Sequence, residues 1–162
     1  MLIRSLDPKS DHTLVTAFFL ASADYVQLER GGPPDASVTD DYFTDAPPGC
    51  DPAESLRLGL FDPDFIGLAE LSFGYPAPED AYIGLLMIAP MSRGSGAGAR
   101  LLHHLQDQAR NRACALIHLG VLQANPRGRA FWEREGFTLS VPNRPVTIGQ
   151  KTQIAHRLTK LL

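Results

Sequence analysis

Apolar and polar positions alternate with period two in several short stretches of this chain and recur with helical period in a few longer ones. Residues 2 to 6 (LIRSL), 55 to 62 (SLRLGLFD) and 65 to 74 (FIGLAELSFG) read as strands, with DPD as a hairpin turn between the last two. The turn YPAPED (75 to 80) leads into an apolar strand at 81 to 89. A helix is predicted from 12 to about 23, with Asp11 as its N-cap, and another from about 95 to 112, where Leu101, Leu102, Leu105 and Ala109 fall at helical spacing. A strand follows at 114 to 122, then a helix from about 126 to 135 that Gly136 stops. TLSVPN and QKTQIAHRLTK read as two closing strands. Between 24 and 54, GGPP and PPG break regular structure, leaving one short helix near 38 to 44.

The glycine-rich stretch PMSRGSGAGARLL (90 to 102) joins the strand at 81 to 89 to the next helix. Arg93, Gly94, Ser95, Gly96, Ala97 and Gly98 therefore sit where the helix begins, at unpaired N–H groups and the positive end of the helix dipole. Glycines let a ligand approach the backbone there, and the arrangement suits a pyrophosphate. A P-loop reading is weakened, because Gly98 is followed by Ala99 and Arg100 rather than Lys-Ser/Thr. A dinucleotide fingerprint is weak: Gly94, Gly96 and Ala99 give only its alanine form, and no acid stands about 20 residues on, where His118, Leu119 and Gly120 lie.

The loop resembles the coenzyme A loop of the GNAT (Gcn5-related N-acetyltransferase) superfamily, patterned Gln/Arg-x-x-Gly-x-Gly/Ala, here Arg93, Gly96 and Gly98. A second stretch, 119 to 137, agrees in order and spacing: Leu119, Val121, Asn125, Ala130, Phe131, Trp132, Gly136 and Phe137. The resemblance implies a single domain over 1 to 162 of α/β (α+β) class, with a central mixed, mostly antiparallel sheet flanked by helices on both faces. It implies an N-acetyltransferase with acetyl-CoA as co-substrate, no metal, and direct attack by a primary amine of a small molecule or peptide. The backbone of Leu86, Met87 and Ile88 would pair with the pantetheine arm as an added strand does. Asn125 would touch that arm as well as cap its helix. The family commonly has Tyr where this chain has Trp132, and that Tyr is thought to reprotonate the departing thiolate; an indole N–H is no usable acid, so Trp132 is expected to wall the core or the cofactor site. Glu70 is a candidate base or substrate anchor, although alternation sets it on a mixed face with Ile66, Leu68 and Ser72 that leaves a solvent-facing position open. Tyr82 is the other candidate at the acceptor site, and His118 reads as a satisfied core histidine. A non-catalytic acyl-CoA sensor, or another acyl chain or acceptor, stays open beside the enzyme reading.

Composition changes this picture little. A length of 162 residues suffices for one domain with a core. Cys50 and Cys114 have no metal-ligand spacing, and Cys114 lies in an apolar run that predicts a buried thiol. LVTAFFLASA (14 to 23) ends like a signal-peptide cleavage site, yet it is short, follows Asp7 and Asp11, and its removal would take the first strand with it; a cytoplasmic protein is expected. No stretch is long enough to span a membrane. Charge matters more: residues 1 to 80 hold 4 Lys/Arg against 15 Asp/Glu, and residues 81 to 162 hold 11 against 3. That asymmetry suits a polyanionic cofactor in the second half and a cationic substrate drawn to the first. Nucleic acid fits poorly, since aromatics do not interleave with the arginines. Edge pairing or strand exchange into a homodimer is plausible from family habit.

Overall fold

The computed structural model describes residues 1–162. Seven strands form one sheet: β1 (Leu2–Ser5), β2 (Leu56–Phe61), β3 (Phe65–Phe73), β4 (Ala81–Ile88), β5 (Leu116–Leu122), β6 (Thr138–Ile148) and β7 (Lys151–Leu161). Their order is β1-β2-β3-β4-β5-β7-β6, and every neighbouring pair is antiparallel except β4 with β5. Helices α1 (His12–Ala21), α2 (Ala23–Arg30) and α3 (Ala36–Thr44) precede β2, α4 (Ala97–Asn111) joins β4 to β5, and α5 (Pro126–Arg134) follows β5.

Strand alternation divides the apolar residues between two cores. On one face α4 buries Leu101, Leu102, Leu105 and Ala109 against Leu71, Ile83, Ile117 and Leu119, with Trp132 of α5 and Phe137 closing the layer. On the other, Val15, Phe18 and Phe19 of α1, Val26 of α2, and Val38 and Tyr42 of α3 cover Leu6, Leu68 and Met87. The sheet is thus covered by helices on both faces, the architecture expected from the sequence.

Four local readings need correction. The stretch 24 to 54 holds two helices, not one: α2 follows α1 across Ser22 alone, and the glycine-proline run ends it, with Gly31 in the left-handed conformation at φ +81°. Asp11 stands at the N-cap of α1 but its side chain does not cap it. The carboxylate accepts from both Nη atoms of Arg4 at 2.8 Å and from the Asp7 N–H, and the Arg4 hydrogen bond holds its pKa down at about 2. β6 runs well past TLSVPN; register shifts at Leu139/Val141 and Val141/Arg144 accommodate Pro142 on what is an edge strand. Cys114 is half-buried rather than fully enclosed.

Two sets of backbone contacts fix the loops around the sheet. The tip of the β6–β7 hairpin docks on the C-terminal end of α2. The Gln150 N–H donates to the Arg30 carbonyl at 3.1 Å, Gln153 Nε2 to that of Glu29 at 3.0 Å, and Lys151 Nζ to that of Leu28 at 3.2 Å. These are carbonyls that the helix itself leaves without partners. On β2, the buried guanidinium of Arg57 donates to three more: Nε to Tyr42 at 2.6 Å, Nη2 to Asp45 at 2.9 Å and Nη1 to Pro52 at 2.8 Å. One charged side chain therefore holds the end of α3 and the segment from 45 to 52. Replacing it by Met should leave these acceptors unpaired and lower the unfolding free energy by about 3 kcal/mol. Urea denaturation of Arg57→Met checks this, and a midpoint equal to wild type would show the clamp to be dispensable.

Candidate active site

The parallel ladder between β4 and β5 is three pairs long: Ala81–Ile117, Tyr82–His118 and Ile83–Leu119. Beyond Ile83 the strands part. Leu86, Met87 and Ile88 keep their partners Ala69, Leu68 and Gly67 on β3, while their other backbone edge faces the gap. Their side chains are core: Met87 joins the α1–α3 layer, and Leu86 and Ile88 pack on the α4 side.

At the end of β4 a single 3-10 turn (Pro90–Ser92) delivers the chain to the glycine loop. Gly94 and Gly96 both take positive φ, +81° and +85°, and Ser95 Oγ donates to the Ser92 carbonyl at 2.7 Å. Helix α4 then starts at Ala97 and Gly98, with Gly96 as its N-cap. Within the fold, the N–H groups from Gly94 through Ala99 have no acceptor; the first to find one is Arg100, bonded to the Gly96 carbonyl. A Cβ at Gly94 or Gly96 would meet nothing within 4 Å, so the space above the loop is open. Six unpaired donors under open space at a helix N-terminus form a cradle that fits a pyrophosphate. Gly98 serves differently, since a Cβ there would press on the Phe131 ring at 3.4 Å. Phe131, not Trp132, is thus the aromatic beside the loop.

Arg93 has a second tie that local sequence does not signal. Its Nε donates to the Ile88 carbonyl at 3.0 Å, and its two Nη atoms bridge Asp24 of α2, 69 residues away. Here it braces the loop against α2. Asn125 caps α5: its Oδ1 accepts from the Gly128 N–H at 2.9 Å. Trp132 is buried, edge-on to Phe131 (4.8 Å between centroids) and Phe137 (5.4 Å). His118 is held at both ring nitrogens, by Asp80 at 3.0 Å and Thr159 at 2.8 Å, and burial lowers its pKa.

Glu70 is not solvent-facing. It is 6% exposed, and the α1–α3 layer covers its face of the sheet. The register against β4 shifts beside it, from Glu70–Leu85 to Leu71–Ile83, leaving Gly84 as a bulge. The Glu70 carboxylate occupies the place of the missing Gly84 side chain, where any Cβ would collide with Oε2. Ser72 Oγ donates to Oε1. Burial nevertheless raises the Glu70 pKa above the ordinary carboxylate range, against the opposing pull of Ser72 and Arg57. Burial likewise raises the Tyr82 phenol, so it stays protonated at neutral pH. The Tyr82 hydroxyl reaches across to Gly120 on β5, one residue past the last pair, where a Cβ would sit 3.1 Å from it.

Both candidates open onto one cavity of about 330 Å³, beside the point where β4 and β5 diverge. Phe19 and Tyr42 form one wall, Asp45 to Pro48 another, and Ile148 from the hairpin closes a third. Gly84, Glu29, Asp45 and Tyr75 on this cavity carried no signal in the sequence, because only the fold assembles them. So the donor cradle, the open edge of β4 and an acid-lined cavity lie in succession along one strand.

This arrangement agrees with what the chain is similar to. A family model described as the Acetyltransferase (GNAT) family matches residues 21–137. Uncharacterized N-acetyltransferases of Mycobacterium tuberculosis and Mycobacterium bovis are 29% identical over 90 residues, which span 56% of this chain and 56% of each relative. Among solved structures, an acetyltransferase from Thermus thermophilus superposes with a TM-score of 0.74 at 23% identity, covering 100% of this chain and 98% of that one. A ribosomal-protein-alanine N-acetyltransferase from Brucella melitensis gives 0.75 at 17% identity, covering 100% of both. At those identities the superpositions speak for the fold alone, whereas the family match extends over most of the sequence, through the cradle and all the cavity residues but Phe19 and Ile148: the chain belongs to the acetyltransferase (GNAT) family.

Proposed function

We propose that the protein transfers an acetyl group from acetyl-CoA to a primary amine, by direct attack while both are bound. The observation that carries this reading is the three-pair β4–β5 ladder, which leaves an open strand edge between an anion cradle and an acidic cavity. In this reading the N–H groups of Gly94 to Ala99 hold the pyrophosphate, and the free edge of β4 at Leu86, Met87 and Ile88 pairs with the pantetheine arm. Arg93 positions the loop through Asp24, and Asn125 sets the start of α5 beside the gap. The thioester then lies at the Gly84 bulge, where backbone N–H groups of β4 polarise its carbonyl.

Glu70 takes the amine proton. The amine nitrogen bonds to the acetyl carbon, the carbon–sulfur bond breaks, and the electron pair leaves on sulfur. The departing thiolate, with a pKa near about 8.5, is a tolerable leaving group. Tyr82 stands at the mouth of the gap with its hydroxyl protonated, and it supplies the proton that Trp132 cannot. A cytoplasmic setting and a monomeric or dimeric state are compatible with this chemistry. No helix of the structure is long and apolar enough to cross a membrane.

Gly96→Glu should abolish coenzyme A binding in calorimetry, because a carboxylate would enter the phosphate space. The positive φ adds only about 1 kcal/mol of strain, so the variant should still fold. Gly96→Asn, which tolerates that backbone, separates strain from charge and should retain binding. Unchanged affinity in Gly96→Glu would remove the loop from the site.

Glu70→Gln should lower kcat about a hundredfold with acetyl-CoA affinity intact. The wild-type rate should rise with pH through a pKa above the usual carboxylate range, since the base must be ionised and its folded pKa is raised. Stability should move the opposite way. A raised folded pKa favours the fold below the unfolded pKa, and that benefit is lost as pH climbs through the folded one. Glu70→Gln should therefore unfold at an equal or higher temperature than wild type at pH 8, while turning over more slowly.

Tyr82→Phe should lower kcat by about a hundredfold, the lower end of the range for proton transfer, whereas Trp132→Phe keeps most turnover. The reverse ranking in steady-state kinetics would assign the proton to the indole side of the gap.

A further inference from the structure

The cavity has an unbalanced lining. Four carboxylates face it, from Glu29, Asp41, Asp45 and Glu70, against the single guanidinium of Arg30. Arg30 pairs with one of them, its Nη1 2.8 Å from Asp41 Oδ2, while its buried Nε has no acceptor. Glu70 is placed at the Gly84 bulge beside the reacting position. The side chains of Glu29 and Asp45 are left with no ion pair and no hydrogen-bond donor in the fold, although burial works against the charge of each. Their backbones, by contrast, are fully engaged: the Glu29 carbonyl accepts from Gln153 and the Asp45 carbonyl from Arg57. Glu29 is thus half-buried and Asp45 exposed at the cavity rim, neither in an ion pair, with Arg30 acting on both and Arg57 on Asp45 as the opposing charges. Between them and Glu70 the walls are apolar, with Phe19, Val38 and Leu85.

Resting on the acetyl-transfer reading, we propose that the acceptor is a small dication, a primary amine joined by a short apolar spacer to a second cationic group that Glu29 and Asp45 receive. A volume of about 330 Å³ holds a ligand of a few heavy atoms, at the lower end of small-molecule sites. The spacer lies against the apolar walls, the reacting amine reaches Glu70, and the distal charge offsets the excess of carboxylates over Arg30 in the lining. A carboxylate on the acceptor meets an excess of like charge, four carboxylates against one guanidinium, and is rejected. A plain peptide N-terminus, with no second cation, leaves Glu29 and Asp45 unsatisfied.

The test uses three amines of equal spacer length under saturating acetyl-CoA: diaminobutane, butylamine and aminobutyrate. Thiol release should give diaminobutane a kcat/KM at least about tenfold above butylamine, the scale of one retained ionic contact, with aminobutyrate poorest. Glu29→Gln and Asp45→Asn should each raise KM for diaminobutane several-fold and leave butylamine within about twofold. Equal rates for the three amines, or variants that slow diaminobutane and butylamine alike, would overturn the inference and leave amine acetylation standing. Calorimetry of diaminobutane with the coenzyme A complex reads the same site without turnover. Binding that Glu29→Gln weakens, with no acetylation of any amine, would keep the dication and sink the transfer reading. Neither binding nor turnover of diaminobutane would sink the dication.

Discussion

The structure turns on where β4 and β5 stop pairing. Parallel strands held by three residue pairs are enough to join the two antiparallel halves of the sheet, and too few to close it. Everything beyond Ile83 follows from that early parting. β4 keeps one satisfied edge on β3 and one free edge, so its backbone can accept a partner that is not part of the chain. The loop that leaves β4 starts α4 at the open end of the gap, and the cap of α5 lies across it on the β5 side. On the opposite face, α1 to α3 cover the same region of the sheet and wall one side of the cavity.

Charge is segregated along the chain, and the fold turns that into segregation in space. All four cavity carboxylates come from the first half, at positions 29, 41, 45 and 70. The unpaired N–H cradle comes from the second half, at 94 to 99. β4 is the boundary between them. An anionic donor and a cationic acceptor would thus be drawn to the same strand from opposite ends, each repelled by the other's site.

What was legible in the sequence was local. The glycine loop, the strand before it and the helix after it sit within thirty or so residues of one another, and their signals are periodicity and backbone freedom. Helix α2 escaped because ADYVQLER is polar with few apolar positions, begins without a cap of its own, and runs straight into the glycines that end it. Glu70 was undecided because alternation names two faces without saying what covers either; three helices distant in sequence settle it, together with a bulge at Gly84 that only register reveals. Asp11 has the position and chemistry of a cap, but Arg4 on β1 takes its carboxylate with two hydrogen bonds, a competition that local sequence does not signal. Arg93 with Asp24, like Tyr82 with Gly120, are meetings between distant segments, for which no spacing rule exists.

The clamp around Arg57 bears on how such a cavity can change. The guanidinium grips the carbonyls of residues 42, 45 and 52, and carbonyls are the same whatever amino acid bears them. The wall from Asp45 to Pro48 is therefore held by its main chain, and its side chains are not what keep it in place. Substitutions there can redraw the chemistry facing the cavity while the wall itself stays put. A scaffold anchored this way separates the persistence of a shape from the identity of its lining, and it lets one fold try many acceptors without first relearning how to fold.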